Sequence, residues 1–190
     1  MPPRNKFNKK EILQACLAIV REQGIAGITA RSVAAKLDSS SKVIFGLFEN
    51  MEALTHAIVI AAEEMFVERV QTALQEEKAF RAVGLAYIQF AAEEPKLFQL
   101  IFMNEPERPI RAFSEFLPVK DYSYDKMIAS LQEEYGLSKE LSERLYQHLF
   151  IYSHGIASMT AAGIYRFSAE EITGLLTEVF TAFLKEITGE

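Results

Sequence analysis

Residues 29–48 read TARSVAAKLDSSSKVIFGLF, and the fold turns on how this stretch is parsed. Thr29 has the chemistry of an N-cap, because its hydroxyl can accept from a free backbone N–H at the start of a helix running from Ala30 to Leu37. Val33, Ala34 and Leu37 give that short helix an apolar face. Asp38, Ser39, Ser40 and Ser41 make a turn of residues that hydrogen-bond their own backbone, and Lys42 to Phe48 returns to a helix too short to stand alone. Upstream, Ile12, Leu13, Cys16, Leu17 and Val20 follow helical spacing that stops at Gly24, a residue suited to left-handed backbone after a helix end. Three short helices with a polar turn between the second and third form a helix-turn-helix, which offers the start of its third helix to base edges in a major groove. Taken alone the pattern is only moderately specific, since three packed helices occur in many unrelated proteins.

Ile12, Ala15, Gly24, Ile28, Thr29, Ser32, Val33, Ala34, Ser40, Ile44, Phe45, Phe48 and Leu54 stand in an order and spacing that resembles the TetR family of bacterial transcriptional regulators. Helical spacing along the chain counts to about nine helices with no convincing strand, so an all-α protein is expected, in keeping with the resemblance. It would carry an N-terminal three-helix DNA-binding domain over residues 1–50 and a C-terminal helical ligand-binding and dimerisation domain over residues 51–190. The chain departs from the family pattern at Asp38, where a turn glycine is usual, and at Lys42, Phe45, Leu47 and Met51, where a small residue, tyrosine, histidine and lysine are usual. Two of these exchanges remove groups expected to touch phosphates. A charge-assisted hydrogen bond is worth about 1.5 to 3 kcal/mol, so each half-site is expected to bind more weakly, with Lys42 offsetting part of the loss. On this reading Ser40, Ser41, Lys42, Phe45 and Gly46 belong to the DNA-facing surface, and Lys42 is the candidate to donate to guanine O6 and N7. Thr29, Arg31 and Ser40, with Arg4, Lys6, Lys9 and Lys10 on the leading arm, would bind phosphates; the alternative is that the arm residues are solvated charges near a terminus.

The charge distribution agrees with a divided task. Residues 1–50 hold eight Lys or Arg against four Asp or Glu, while residues 51–190 hold twelve against twenty-two, within a net charge of -6. One end can approach a polyanion and the remainder is repelled by it. The 190 residues are 49% hydrophobic, enough to bury a full core, and the abundance of Ala, Leu, Glu and Lys without alternating β-branched runs favours helices. A single cysteine, Cys16, excludes an intramolecular disulfide framework and a Cys-rich zinc site. The first twenty residues imitate a signal peptide, but Glu11, Gln14, Arg21 and Glu22 interrupt the apolar run and no small-residue cleavage site follows. With no stretch reaching the ~18 apolar residues of a membrane span, no membrane association is expected, and the cytoplasm is the expected location.

Farther along, Asn50 can cap a long fourth helix, Phe80 to Glu94 and Lys96 to Met103 read as helices separated by Pro95, and Ser123 to Tyr135 stops at Gly136. Ser138 opens a helix expected to reach about Tyr165, and Ser168 with Glu171 forms a capping box for the last helix, to about Ile187. The long helix carries one apolar stripe of Leu145, Leu149, Tyr152, Ile156 and Met159, continued by Gly163, and a second of Tyr146, Phe150, Ala157 and Ile164. The last helix is similar, with Ile172, Leu176, Val179, Phe183 and Ile187 beside Leu175, Phe180 and Leu184. Helices apolar around most of their girth are buried on more than one side. One face can pack on its own domain and the other on a partner, so a homodimer through a two-fold four-helix interface, as in TetR relatives, is expected, with Leu149, Tyr152, Ile156, Met159, Leu176, Val179, Phe180 and Phe183 as its candidates; the alternative is a monomer with a thick core.

Between these ends lies a set rich in aromatics and Met, including Phe113, Phe116, Tyr124 and Met127. Such residues line adaptable apolar pockets, and at helical spacing they also build plain core. Given the inducer cavity that the TetR resemblance implies, Tyr87, Phe90, Phe98, Phe102, Tyr122, Phe150 and His154 are the candidates to contact a small hydrophobic or amphipathic ligand. Tyr152, His154 and Gly155 are similar to the Trp-His-Gly motif of one group of TetR C-terminal domains, and residues 92–100 to the segment that precedes it there. His148 and His154 lie six residues apart, on different helix faces, and no metal-ligand spacing, nucleophile and base set or phosphate loop is present. Neither an enzyme, a metal nor a cofactor is expected. The expected function is a ligand-responsive regulator, a repressor in sense, that binds a palindromic operator in double-stranded DNA as a homodimer; the alternative is a TetR-like ligand-binding or interaction protein whose operator binding is weak or lost.

Overall fold

The computed structural model describes residues 7–104 and 122–189, the side chain of Tyr122 excepted. The expectations placed on Arg4, Lys6, Phe113, Phe116 and the Tyr122 side chain therefore lie outside the described residues. Among the described residues the chain is all-α, with nine helices: α1 (Lys9–Gln23), α2 (Ala30–Lys36), α3 (Lys42–Phe45), α4 (Met51–Ala73), α5 (Ala79–Glu93), α6 (Pro95–Phe102), α7 (Tyr122–Tyr135), α8 (Lys139–Ala161) and α9 (Ala169–Thr188). A 3-10 turn at Ile25–Gly27 joins α1 to the segment before α2. None of these helices is long and apolar enough to cross a membrane.

Contacts divide the chain into two compact units, Met1–Met65 with Glu94–Asn104, and Phe66–Glu93 with Glu105–Glu190. The boundary runs through α4, which supplies residues to both. α6 belongs to the first unit because it packs on α1, burying Leu97, Phe98, Leu100 and Phe102.

In the first unit the helix ends are set by local chemistry. The Asn8 side chain accepts from Glu11 N at 2.9 Å while Glu11 accepts from Asn8 N, a capping box at the start of α1. Thr29 accepts from Ser32 N at 3.0 Å and Ser32 Oγ accepts from Thr29 N at 2.9 Å, so α2 starts with the same reciprocal pair. α2 ends in a Schellman motif: Ser39 N donates to Ala34 O and Asp38 N to Ala35 O, with Asp38 at φ +47° in the left-handed region that glycine ordinarily fills. α3 is shorter than the sequence suggested and ends at Phe45, with Leu47 and Phe48 in turns bonded back to Ile44. Asn50 Oδ1 accepts from Ala53 N at 2.8 Å and opens α4. Ile12, Cys16, Val20, Val33, Ile44, Leu54 and Ile58 form the core, and Arg21 makes a two-nitrogen ion pair with Glu94, at 2.8 to 3.1 Å, that ties α1 to the start of α6. Burial pushes the Cys16 thiol up to about 11, so it stays protonated and inert.

In the second unit α8 is the centre, packed against α5, α7 and α9. Phe66, Ile88, Phe90, Met127, Leu131, Leu145 and Ala157 are among its most buried apolar side chains. α8 ends at Ala161, not near Tyr165. Gly163 takes φ +69° while Gly163 N donates to Thr160 O and Ile164 N to Met159 O, another Schellman motif. Gly163 therefore terminates the stripe it was expected to continue, and Ile164, 73% exposed, lies beyond the helix. Ser168 accepts from Glu171 N at 3.1 Å and Glu171 accepts from Ser168 N, the capping box that starts α9.

Candidate nucleic-acid interface and ligand cavity

α3 is held in the first unit by Ile44, which is fully buried, and by Phe48 just after it. Its other side is open: Lys42, Phe45 and Gly46, related by i, i+3 and i+4 spacing, are all exposed, the Phe45 ring to 48%. Ser40 is exposed and Ser41 half-buried beside them. Arg31 is exposed on the first turn of α2, and neither it nor Lys42 has an ion-pair partner among the described residues. Lys36 is engaged by Glu22 at 2.9 Å, and Lys9 lies 5.5 Å over the Phe48 ring, a cation–π contact that sets Lys9 beside this surface. Thr29 was assigned both to a cap and to a phosphate. The cap occupies it, since its hydroxyl accepts from Ser32 N and lies 3.0 Å from Ser32 Oγ.

The second unit contains a cavity of about 230 Å³. Its wall is largely aromatic and aliphatic, with Phe66 from α4, Phe80, Val83 and Tyr87 from α5, Met127 from α7, Tyr146, Leu149 and Phe150 from α8, and Leu176 and Phe180 from α9, beside the neutral polar Ser153, Thr173 and Thr177. Gly84 leaves its part of the wall open, with nothing within 4 Å of where a Cβ would sit. Behind the wall, Tyr87 OH is hydrogen-bonded to His154 Nδ1 at 2.8 Å, and His154 Nε2 to Ser158 Oγ at 3.2 Å. Burial pushes the Tyr87 phenol well up and the His154 imidazole down, so both are neutral at neutral pH. The rings of Phe150 and His154 stack at 5.9 Å, and Tyr87 meets Phe66 edge-on at 5.7 Å.

The cavity also has a charged, exposed rim. Lys78, Arg81 and Glu134 all line it and all are exposed. Glu134 Oε1 receives the Tyr135 hydroxyl at 2.8 Å and the Lys78 ammonium at 3.3 Å. Burial, with the carboxylate next to it, pushes the Tyr135 phenol up to about 12, and Arg81 nearby opposes the shift.

Of the aromatic candidates, Tyr87 and Phe150 line this cavity. Phe90 is fully buried against Phe66, and His154 stands behind Tyr87, so both act on the wall from outside it. Phe98 and Phe102 pack on each other in α6, in the first unit, and do not join the set. The periodicity that singled them out reports burial, and they are buried in a different core. The charged rim escaped sequence reasoning, which searched for aromatic density; its signal was the i, i+3 pair of Lys78 and Arg81 at the start of α5.

Three residues expected at a subunit interface, Leu149, Leu176 and Phe180, line the cavity of their own chain. Ile156 is buried within the unit, whereas Tyr152, Val179 and Phe183 are half-buried and Met159 is exposed. Phe183 stacks on His148 at 4.4 Å. α9, though rich in apolar residues, has none that is buried. The open side of α8 follows Ile151, Gly155 and Met159 at i, i+4, i+8, with Ile151 60% exposed. Ile151 was missed because nearly every face of this helix carries apolar residues. Among the described residues no cluster of His, Cys, Asp or Glu could hold a metal.

Residues 80–183 match the family model described as "Tetracyclin repressor-like, C-terminal domain". No curated protein matches the sequence. Among solved structures, the chain is similar to a protein of unknown function from Rhodococcus sp. RHA1, with 19% identity and a TM-score of 0.66, covering 98% of this chain and 97% of the other. It is similar to a putative TetR family transcriptional regulator from Vibrio parahaemolyticus, with 16% identity and a TM-score of 0.56, covering 91% and 96%. A third similar structure is a TetR variant from Acinetobacter baumannii AYE in complex with minocycline, with 18% identity and a TM-score of 0.55, covering 97% and 96%.

Proposed function

This chain belongs to the TetR family of transcriptional regulators, and from that premise we propose that it is a ligand-responsive repressor that binds a palindromic operator as a homodimer. The observation that carries the reading is the open side of α3, where Lys42, Phe45 and Gly46 stand free on a helix anchored by buried Ile44. Residues 1–50 perform the DNA-reading task, and residues 51–190 the ligand-binding and pairing tasks. Lys42 donates to a guanine edge, Phe45 offers its ring to a thymine methyl, and Arg31 and Ser40 grip phosphates. Paired subunits present two such helices about 34 to 36 Å apart, which demands a two-fold operator. The surface that pairs them is the open side of α8, at Ile151 and Met159, together with α9.

A small apolar or amphipathic molecule occupies the cavity, a reading supported by a similar structure having been solved in complex with minocycline. It touches Phe66 on α4, the helix that also supplies Met51 to Met65 to the first unit, and this gives the ligand a covalent path to the reading head. Such a ligand acts only by binding the DNA-competent and DNA-incompetent states unequally. The protein performs no catalysis, requires no cofactor and works in the cytoplasm, where its DNA target lies.

A mobility-shift titration with the gene's own upstream region, at two salt concentrations, tests the proposal. Retarded DNA with affinity falling steeply as salt rises is the expected result. Indifference to DNA at low salt overturns it and favours a ligand-binding protein without an operator. Lys42→Ala is expected to weaken specific binding by about 1 to 3 kcal/mol while leaving non-specific binding nearly unchanged.

A further inference from the structure

The cavity lining divides into a buried apolar part and an exposed charged part, and the division selects the chemistry of an occupant. Tyr87, Met127, Tyr146 and Leu149 are buried apolar or neutral wall. The exposed rim carries two cations, Lys78 and Arg81, against one carboxylate, Glu134. Glu134 is already satisfied by Lys78 and by the Tyr135 hydroxyl, which leaves the Arg81 guanidinium as the uncompensated charge, with no ion pair among the described residues. That excess runs against its surroundings, because residues 51–190 hold twelve basic against twenty-two acidic side chains.

We propose that the occupant is a small anionic amphiphile, a medium-chain or aryl carboxylate, whose tail packs on the buried aromatic wall and whose carboxylate is received by Arg81 at the exposed rim; this rests on the reading of the cavity as the ligand site. A volume of about 230 Å³ lies just below the roughly 300 to 1,000 Å³ of pockets for drug-sized ligands, which sets the length of the tail. A planar guanidinium takes a carboxylate through two parallel hydrogen bonds, so the anion is fixed as well as attracted. A cationic head is disfavoured, since it would meet Arg81 and compete with Lys78 for Glu134.

The test compares octanoate with 1-octanol on the full-length chain, by titration calorimetry and by the methyl resonance of Met127, which reports from inside the wall. Octanoate is expected to bind about tenfold more tightly than octanol, and Arg81→Gln to remove that margin while leaving octanol unchanged. Equal binding of the two probes, unmoved by Arg81→Gln, overturns the choice of an anion and leaves the ligand-site reading standing. Gly84→Leu, on a helical residue with open space beside it, should fill the cavity and abolish both titrations. Binding that survives this filling, or the failure of both probes to bind wild type at millimolar concentration, overturns the proposal and the ligand-site reading together.

Discussion

Asp38 shows how a departure at a single residue is absorbed by its surroundings. The Schellman motif that closes α2 needs left-handed backbone at this position, and Asp38 supplies it at φ +47° with both motif hydrogen bonds formed. Aspartate tolerates that region better than most residues with a Cβ, yet glycine adopts it without steric cost. Asp38→Gly is expected to stabilise the chain by about 0.5 to 1 kcal/mol, read as a higher urea midpoint with an unchanged slope. His154 is a residue whose contribution depends on pH. Burial lowers its folded pKa, so the stabilisation it contributes as a neutral ring is complete above the ordinary histidine pKa and is lost as pH falls below it. Thermal melts from neutral pH to about pH 5 should show a steeper loss for wild type than for His154→Gln, which keeps polar contacts without titrating. Parallel curves would remove the linkage.

At the scale of elements, helix beginnings were more legible than helix ends and faces. Thr29, Asn50, Ser138 and Ser168 all cap where their chemistry suggests, because the cap bond is made with backbone only three residues away. Ser168→Ala is expected to cost about 1 kcal/mol and to speed hydrogen exchange in the first turn of α9 while leaving α5 protected. The end of α8 was misjudged because a glycine inside a long apolar pattern reads equally as a small packing residue or as a left-handed cap. Gly163 is the cap. Faces were harder still. Leu149 and Ile156 look like Ile151 in sequence, but the first two turn toward their own unit and Ile151 toward the outside. Which stripe becomes core depends on partners distant in sequence, and periodicity contains no information about them. The same limit explains the cavity: Tyr87 and Phe150 are brought to one wall by α5 packing on α8, while Phe98 and Phe102, equally aromatic, follow α6 onto α1.

For the whole molecule, the open apolar side of α8 and the absence of any buried residue in α9 leave a surface that the pairing proposed above would cover. Ile151→Glu places a charge on that surface without touching the cavity, and should weaken self-association by about tenfold or more, as seen by light scattering over a concentration series. Unchanged mass at every concentration would move the pairing surface elsewhere. The variant should also lose affinity for a two-fold operator while keeping affinity for a half-site, since coupling the two heads raises their effective concentration on DNA.

The seclusion of Cys16 has a practical corollary. With its single sulfhydryl enclosed in hydrocarbon and kept protonated, the wild-type chain offers nothing for maleimides to alkylate near neutral pH. One substitution such as Ser40→Cys would therefore install a unique attachment point for a spin label or fluorophore. A symmetric assembly so tagged would carry two identical reporters, whose separation could be followed by dipolar spectroscopy as octanoate is titrated in.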